Sequence, residues 1–297
     1  MKICIAIASI GRSYLLQTVQ SFEMLEYPEG ESLAVIVGDD SKHKAALKLL
    51  ADYQSEAFTL KVIDVASQNI AHCRNACLDA CDADFIAFID DDEEADPQWL
   101  MNLIATAQSE KADAVFGQII SSYYPQVPDW IKTADPVGRM RQRDDGPTNT
   151  GSSGNAMVRM SAVREHGLRF DPRYGRTGGE DTDFFLKLNA AGGRLFFTND
   201  AIVRETVLPE KSTQSFFIKR ALRSGQSYAA MMLQQKSAFK KIGFYLSAFL
   251  KMILGNGMAI AMRPFNRSEA FIWRLKAVMN KGKLRNMINL DLPEIYV

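Results

Sequence analysis

The chain has 297 residues, 47% of them hydrophobic and 10% aromatic, enough to bury a sizeable core without a disulfide or metal staple. Lys plus Arg and Asp plus Glu stand at 35 each, so no overall field draws the chain to nucleic acid or to an acidic partner. One domain with an appendage suits this length.

Through the first 120 residues, apolar runs of strand length alternate with helix-period segments. That pattern marks βαβ units and a largely parallel sheet in an α/β fold. Strands are predicted at Lys2–Ser9, Leu33–Asp39, Thr59–Val65, Asp84–Ile89 and Ala114–Ile120, with helices near 13–26, 42–54, 69–82 and 97–109. The opening MKICIAIASIGR has too short an apolar run for a signal peptide and reads as the first strand. On the third helix, Cys73, Cys77 and Cys81 recur every four residues and form one face. With only His72 nearby, the spacing predicts a small buried stripe in a reducing, cytosolic compartment rather than a metal site.

Residues 121–154 are rich in Pro, Gly, Asp and Ser without a period, and read as a long functional loop. Apolar segments at 155–160, 194–198 and 201–204 resume the sheet around a helix at Asp181–Ala191. From about residue 211 the chain turns helical, with aromatic and Met residues on cationic stretches. Ile242–Met262 is long enough to span a membrane. Lys251, Asn256 and the Gly-Asn-Gly interruption instead favour an interfacial or re-entrant hairpin on an anionic membrane surface.

In open α/β sheets ligands bind beyond the carboxyl ends of the strands, and two predicted strands end in acids, Asp39-Asp40 and Asp90-Asp91-Asp92. Three adjacent carboxylates repel and raise one another's pKa unless a cation neutralises them. Asp-x-Asp spacing of hard oxygens suits Mg²⁺ or Mn²⁺, which bridges to phosphate oxygens and stabilises a diphosphate leaving group. The competing possibility is a solvated helix start, with Glu93, Glu94 and Asp96 ahead of Pro97 favouring the helix dipole. A second acidic group follows the Gly178-Gly179 turn, where Glu180 and Asp181 open a helix either as a base or as a cap. Trp130, with Tyr123 and Tyr124, is a candidate for stacking on a sugar ring.

At four separated places, in order over roughly residues 2–205, the chain resembles family 2 glycosyltransferases, inverting enzymes with the GT-A fold. ICIAIASIGRSYLLQTVQSF looks like the family's first strand and helix, and VIVGDDS resembles its VDDGS element without the usual Gly. NIAHCRNACLDACDADFIAFIDDD resembles its Arg-Asn segment running into the Asp-x-Asp strand, and GGEDTDFFLKLNAAG its Glu-Asp motif. The resemblance implies that Ala8, Ser9, Asp40 and Arg74 line a nucleotide pocket, with Asp40 accepting from the base and Asp39 supporting it. Arg12 and Asn69 join the donor contacts. Asp90 then meets the ribose or donor sugar, Asp92 a Mn²⁺ or Mg²⁺ ion, and Asp91 is the expendable residue between them. Asp181 becomes the base that deprotonates the acceptor, flanked by Gly179, Glu180, Asn149 and Thr150.

The implied organisation is a GT-A catalytic domain over 1–207, with a nucleotide-sugar half to 120 and an acceptor half beyond it. A mostly parallel mixed sheet flanked by helices forms its frame, and 208–297 is a basic, apolar, membrane-associating appendage. QNIAHCRNACLDA, GGEDTDFF and RALRSGQSYA look similar to bacterial exopolysaccharide enzymes of the succinoglycan-biosynthesis type. Those add glucose from UDP-glucose to a lipid-diphosphate-linked oligosaccharide at the cytoplasmic face of the plasma membrane. Lipopolysaccharide-core or capsule transfer, a sugar nucleotidyltransferase and a non-catalytic nucleotide-sugar-binding subunit stay open. A dinucleotide dehydrogenase is excluded by the single glycine in ASIGRS, and a serine hydrolase by the absence of G-x-S-x-G.

Overall fold

A computed structural model of the chain describes residues 1–28, 30–141, 143–233 and 237–288. In chain order the elements are β1 (Lys2–Ser9), α1 (Tyr14–Ser21), β2 (Ser32–Asp39), α2 (Ala45–Leu49), β3 (Thr59–Asp64), α3 (Ile70–Ala80), β4 (Phe85–Ile89), β5 (Glu93–Ala95) and α4 (Trp99–Ser109). β6 (Ala114–Tyr123), α5 (Asp129–Ala134), α6 (Pro136–Arg141), β7 (Gly146–Thr148), β8 (Asn155–Arg159), α7 (Met160–Glu165), α8 (Glu180–Ala190) and β9 (Leu195–Val207) follow. The last three are α9 (Gln214–Leu233), α10 (Ala238–Met262) and α11 (Arg267–Arg285).

Two compact units result among the described residues, Met1–Ile120 with Arg141–Glu205, and Ser121–Met140 with the helices that follow Thr206 as far as residue 288. Residues 121–140, expected in the acceptor half of the catalytic domain, thus join the C-terminal helices. Val127, Ile131, Ala134 and Val137 share an apolar cluster with Val207, Phe217, Ala221 and Phe271, which accounts for that assignment.

The sheet is mixed, in the order β3-β2-β1-β4-β8-β6-β9-β5, with β7 on β9. β3, β2, β1 and β4 run parallel, while β8 pairs antiparallel with both β4 and β6. Side chains of β1 alternate between two cores. Ile3, Ile5 and Ile7 pack with Leu15, Val19, Phe22, Trp99 and Leu103, whereas Cys4 and Ala6 pack with Cys77, Leu78, Phe184 and Leu188. Helices cover both faces, which is why these strands read as unbroken apolar runs. All four cysteines are free and buried, and the Cys73 and Cys77 sulfurs lie against Gly38 of β2.

Five expectations change. Helix 42–54 contracts to α2. Glu93–Ala95 forms β5, paired with β9, and the first turn of α4 holds no acid, so the run at 90–96 is not a solvated helix start. Residues 121–154 contain α5, α6 and β7 rather than only loop, and 194–198 and 201–204 merge into one 13-residue strand. The Gly-Asn-Gly stretch lies inside an uninterrupted 25-residue α10, so no hairpin forms there. Each glycine weakens a helix by only about 1 kcal/mol, and Gly255 is buried with its Cα close against Ala277 of α11, a contact that a larger side chain would crowd.

Candidate active site

β1, β2 and β4 deliver their carboxyl ends to one edge, because Ser9 is in register with Asp39 and Ala6 with Phe88. Beyond β4 the chain turns through Asp90, Asp91 and Asp92. Asp91 is the buried member, 5% exposed. Its Oδ2 accepts from Ser9 Oγ at 2.6 Å, and Arg12 Nη1 stands 3.3 Å from its other oxygen. Burial pushes this carboxyl up to about 6 against the pull of Arg12 and Ser9. Asp91 is therefore not the expendable residue of the three. Ser9, expected at the nucleotide, spends its hydroxyl on Asp91 and on the Gly11 N–H. Ala8 is half-buried on β1 opposite Gly38.

Arg12 also reaches Asp92, 3.2 Å from Nη1. Among the described residues no group of three or more His, Cys, Asp or Glu is assembled as a ready cation cage. The donor set nevertheless fits a hard divalent cation of the Mg²⁺ or Mn²⁺ type, which typically takes one or two carboxylates from the protein and the rest from phosphate and water. Asp92, with Asp90 beside it, would supply those oxygens.

Asp90 ties the acidic run to the other motif. Its Oδ1 accepts from Arg74 Nη2 at 3.1 Å, and the Arg74 Nη1 donates to Glu180 Oε1 at the start of α8. Arg74 itself is buried on α3, with its guanidinium 5.7 Å from the centre of the Phe170 ring. Expected to line a nucleotide pocket, it is instead an internal cation shared by two acidic segments. Glu180 is 4% exposed, and its Oε2 has no hydrogen-bond partner. Desolvation pushes it up to about 7, outweighing the Arg74 charge that pulls it down. A β-carbon at Gly154 would stand 3.1 Å from both Asp90 Oδ2 and Glu93 Oε1, so glycine lets the backbone pass these acids closely.

Gly178 and Gly179 hold φ of 76° and 106°, the left-handed region that an L side chain enters only with strain. This turn aims α8 so that Asp181 is its second residue. Asp181 is partly exposed and accepts from the Thr182 N–H at 2.6 Å and from Thr182 Oγ1, both through Oδ1. Its Oδ2 makes no hydrogen bond among the described residues. Gly179 occupies the N-cap and has no side chain to offer, so Asp181 Oδ1 answers a first-turn amide while its other oxygen points elsewhere.

Two expected donor contacts serve the scaffold instead. Asp40, expected to accept from a base, accepts from Ser67 N, Ser67 Oγ, Gln68 N and Asn69 N, all at 2.7–2.8 Å. Three of these donors meet Oδ1 and one meets Oδ2, so Asp40 is committed largely to the turn it holds and keeps a lone pair on Oδ2. Asn69 caps α3 by accepting from Ala71 N and donates to Pro172 O, leaving it little for a ligand. Asp39 likewise accepts from Ser41 N and Leu47 N, holding the turn into α2.

On the acceptor side, Asn149 is exposed and Thr150 half-buried beside β7, and no described contact ties either to Asp181. Trp130 lies in the second unit, edge-on to Phe271 at 5.3 Å with Arg267 4.2 Å from its ring centre. It packs as core there because α5 presents it on the same side as Ile131 and Ala134. The main feature that sequence reasoning missed is the Arg74–Glu180 pair. Its only trace in the sequence is an Arg on an otherwise apolar face of α3.

Known proteins are similar to this chain in sequence and in fold. The model of Glycosyl transferase family 2 matches residues 4–167, which take in β1 and the acidic run. Over 297 residues the chain is 30% identical to the succinoglycan biosynthesis protein ExoM of Rhizobium meliloti, covering 100% of this chain and 96% of that protein. S. aureus TarS in complex with UDP-GlcNAc superposes with a TM-score of 0.58 at 16% identity, covering 97% of this chain and 91% of that one. Mannosyltransferase PcManGT from Pyrobaculum calidifontis, in complex with GDP-Man and Mn²⁺, gives 0.57 at 15% identity over 98% and 76%. At such identities these likenesses are of fold, and the fold is GT-A. From the family match and the full-length relative together, the chain is a glycosyltransferase and belongs to glycosyl transferase family 2.

Proposed function

We propose that the protein transfers a sugar, with inversion, from a UDP-sugar to a lipid-linked oligosaccharide during bacterial exopolysaccharide synthesis. Glucose is the expected sugar, and the cytoplasmic face of the plasma membrane the expected place. The full-length relative's role in succinoglycan biosynthesis and the UDP-GlcNAc held by a protein of the same fold support this reading. The observation that carries it is the buried Arg74, which contacts Asp90 of the strand-end acids and Glu180, the neighbour of Asp181, so donor-side and acceptor-side carboxylates share one cation.

In this reading the acceptor hydroxyl gives its proton to Asp181 through Oδ2. The freed oxygen attacks the anomeric carbon from the face opposite the nucleotide, and the bond from that carbon to the diphosphate oxygen breaks with its electron pair. A single displacement inverts the anomeric centre. A divalent cation on Asp92, with Asp90 beside it, neutralises charge on the departing diphosphate when bound. Arg12 holds Asp91 and Asp92 together, and Arg74 keeps Asp90 from turning away.

Thermal-shift titration with nucleotide sugars and Mn²⁺ identifies the donor, since a ligand that binds only the native state raises its apparent stability. Asp92→Ala is expected to lose the Mn²⁺-dependent shift and transfer together. Asp181→Asn should keep the donor-induced shift and lose transfer. Undiminished turnover in Asp181→Asn sinks the base assignment.

A further inference from the structure

α10 stands out in the second unit because its apolar residues have little to pack against. It is 25 residues long, about 37 Å at 1.5 Å per residue, and only Ala248 and Gly255 along it are buried. Those two mark a narrow inner stripe against α11, closest where Gly255 meets Ala277. The opposite face runs through Phe239, Ile242, Leu246, Leu250, Ile253 and Ile260, from 52% exposed at Ile253 to 85% at Phe239. Monomeric soluble proteins rarely leave so long an apolar strip to water. No Asp or Glu occurs anywhere in the helix, while Lys240, Lys241 and Lys251 do, with Arg263 just past its end. Lys251 also stands near Lys283 of α11, whose affinity for its proton falls through burial first and the Lys251 charge second. Neither lysine has an acidic partner among the described residues.

We propose that the outer face of α10 lies flat in the interfacial layer of an anionic lipid bilayer, parallel to the membrane plane, without crossing it. The apolar strip enters the boundary between headgroups and acyl chains, while the lysines, on the opposite, polar side of a helix that holds no acid, add attraction to the anionic surface. A second copy of the chain would cover the apolar strip but leave the acid-free, cationic side of the helix without a counter-charge. Crossing the bilayer fits poorly too. α10 is packed along α11, which carries Arg267, Arg274, Lys276, Lys281 and Lys283. A span would strip α10 from that partner or carry those charges into hydrocarbon. An in-plane helix satisfies both faces at once and needs no break at Gly255-Asn256-Gly257.

The inference deepens the membrane part of the function proposed above, and its test separates the two. The full-length protein is floated with vesicles of phosphatidylcholine alone or with added phosphatidylglycerol. Binding is expected only to the anionic vesicles. It should weaken about fivefold for each of Lys240→Glu and Lys251→Glu, the factor for roughly 1 kcal/mol per surface cation, and vanish in Leu246→Asp/Ile253→Asp. For orientation, single cysteines replace Ser237 and Arg263 at the two ends of the helix, the native cysteines all being buried. Both positions should react with an impermeant maleimide added outside sealed vesicles. Protection of one of them, equal binding to neutral vesicles, or no vesicle binding overturns the proposal. So does a lipid-free dimer that the double Asp variant abolishes, which assigns the face to a second copy. Nucleotide-sugar thermal shifts, recorded on every variant, report folding and the donor site independently. A protein that binds donor but not vesicles refutes this inference alone, and one that binds vesicles but no donor refutes the transferase reading alone.

Discussion

Glu180 offers a test of which force wins in the buried pair. Its carboxyl is raised from 4.5 to about 7 by burial, although the Arg74 guanidinium pulls the other way. A folded value above the unfolded one means that the native protein binds more protons between those limits. Stability from this group is then fully present below about pH 4.5 and is lost as pH rises through about 7. At 1.36 kcal/mol per pH unit the swing is about 3 kcal/mol, and at 4% exposure little of it is screened. Glu180→Gln keeps the shape of the protonated acid and removes its titration, and ionisable groups beyond Arg74, Asp90 and Asp181 cancel in the comparison. The variant should therefore gain on wild type by about 3 kcal/mol between about pH 5 and about pH 8, a relative melting shift of roughly 5–10 °C for a chain of this size. Thermal unfolding of both proteins across that range, without divalent cation or nucleotide, measures it. Parallel curves refute the argument. If wild type gains on the variant as pH rises, Arg74 dominates and the acid is held ionised.

Two further outcomes follow from the same geometry. Ser9→Ala removes the 2.6 Å donor to buried Asp91 and should cost about 1–3 kcal/mol in denaturant unfolding; Ser9→Thr, which keeps the hydroxyl, should recover part of that. Asp40→Ala leaves four donors of the Ser67–Asn69 turn unanswered. It should raise amide exchange at Gln68 and Asn69 well above that of β1, and a turn as protected as in wild type contradicts the scaffold role.

Strand positions were legible because helices cover both sheet faces. Lys2–Ser9 and Phe85–Ile89 must then be apolar at nearly every position, and an unbroken run of that length bounded by polar residues suits little besides a strand buried on both sides. The strand-end acids were legible for a related reason, since only a special environment holds Asp90, Asp91 and Asp92 together. Division of labour among them was not. Which carboxylate turns inward depends on Ser9 and Arg12, about 80 residues earlier in the chain, and no local pattern encodes that meeting. Glu93 misled for the opposite reason: beside Asp92 and Glu94 it looked solvated, whereas it is fully buried in β5, its Oε2 accepting from the Asp90 N–H. In α10 the glycines suggested a break that close packing on α11 overrides.

The placement of Arg74 also bears on how the protein is made. Its side chain is buried on α3 between acids 16 residues later and 106 residues later, and a buried cation missing one partner is strongly destabilising. At ribosomal rates of about 5–20 residues per second, Glu180 emerges roughly 5–20 s after Arg74. During that interval the guanidinium has only Asp90 against it and lacks its more deeply buried partner. A fragment ending before α8 should accordingly fail as an independent module, and the native state should lock only when the acceptor segment arrives. The guanidinium would then act as a checkpoint on synthesis, with the buried pair complete only once Glu180 has been translated.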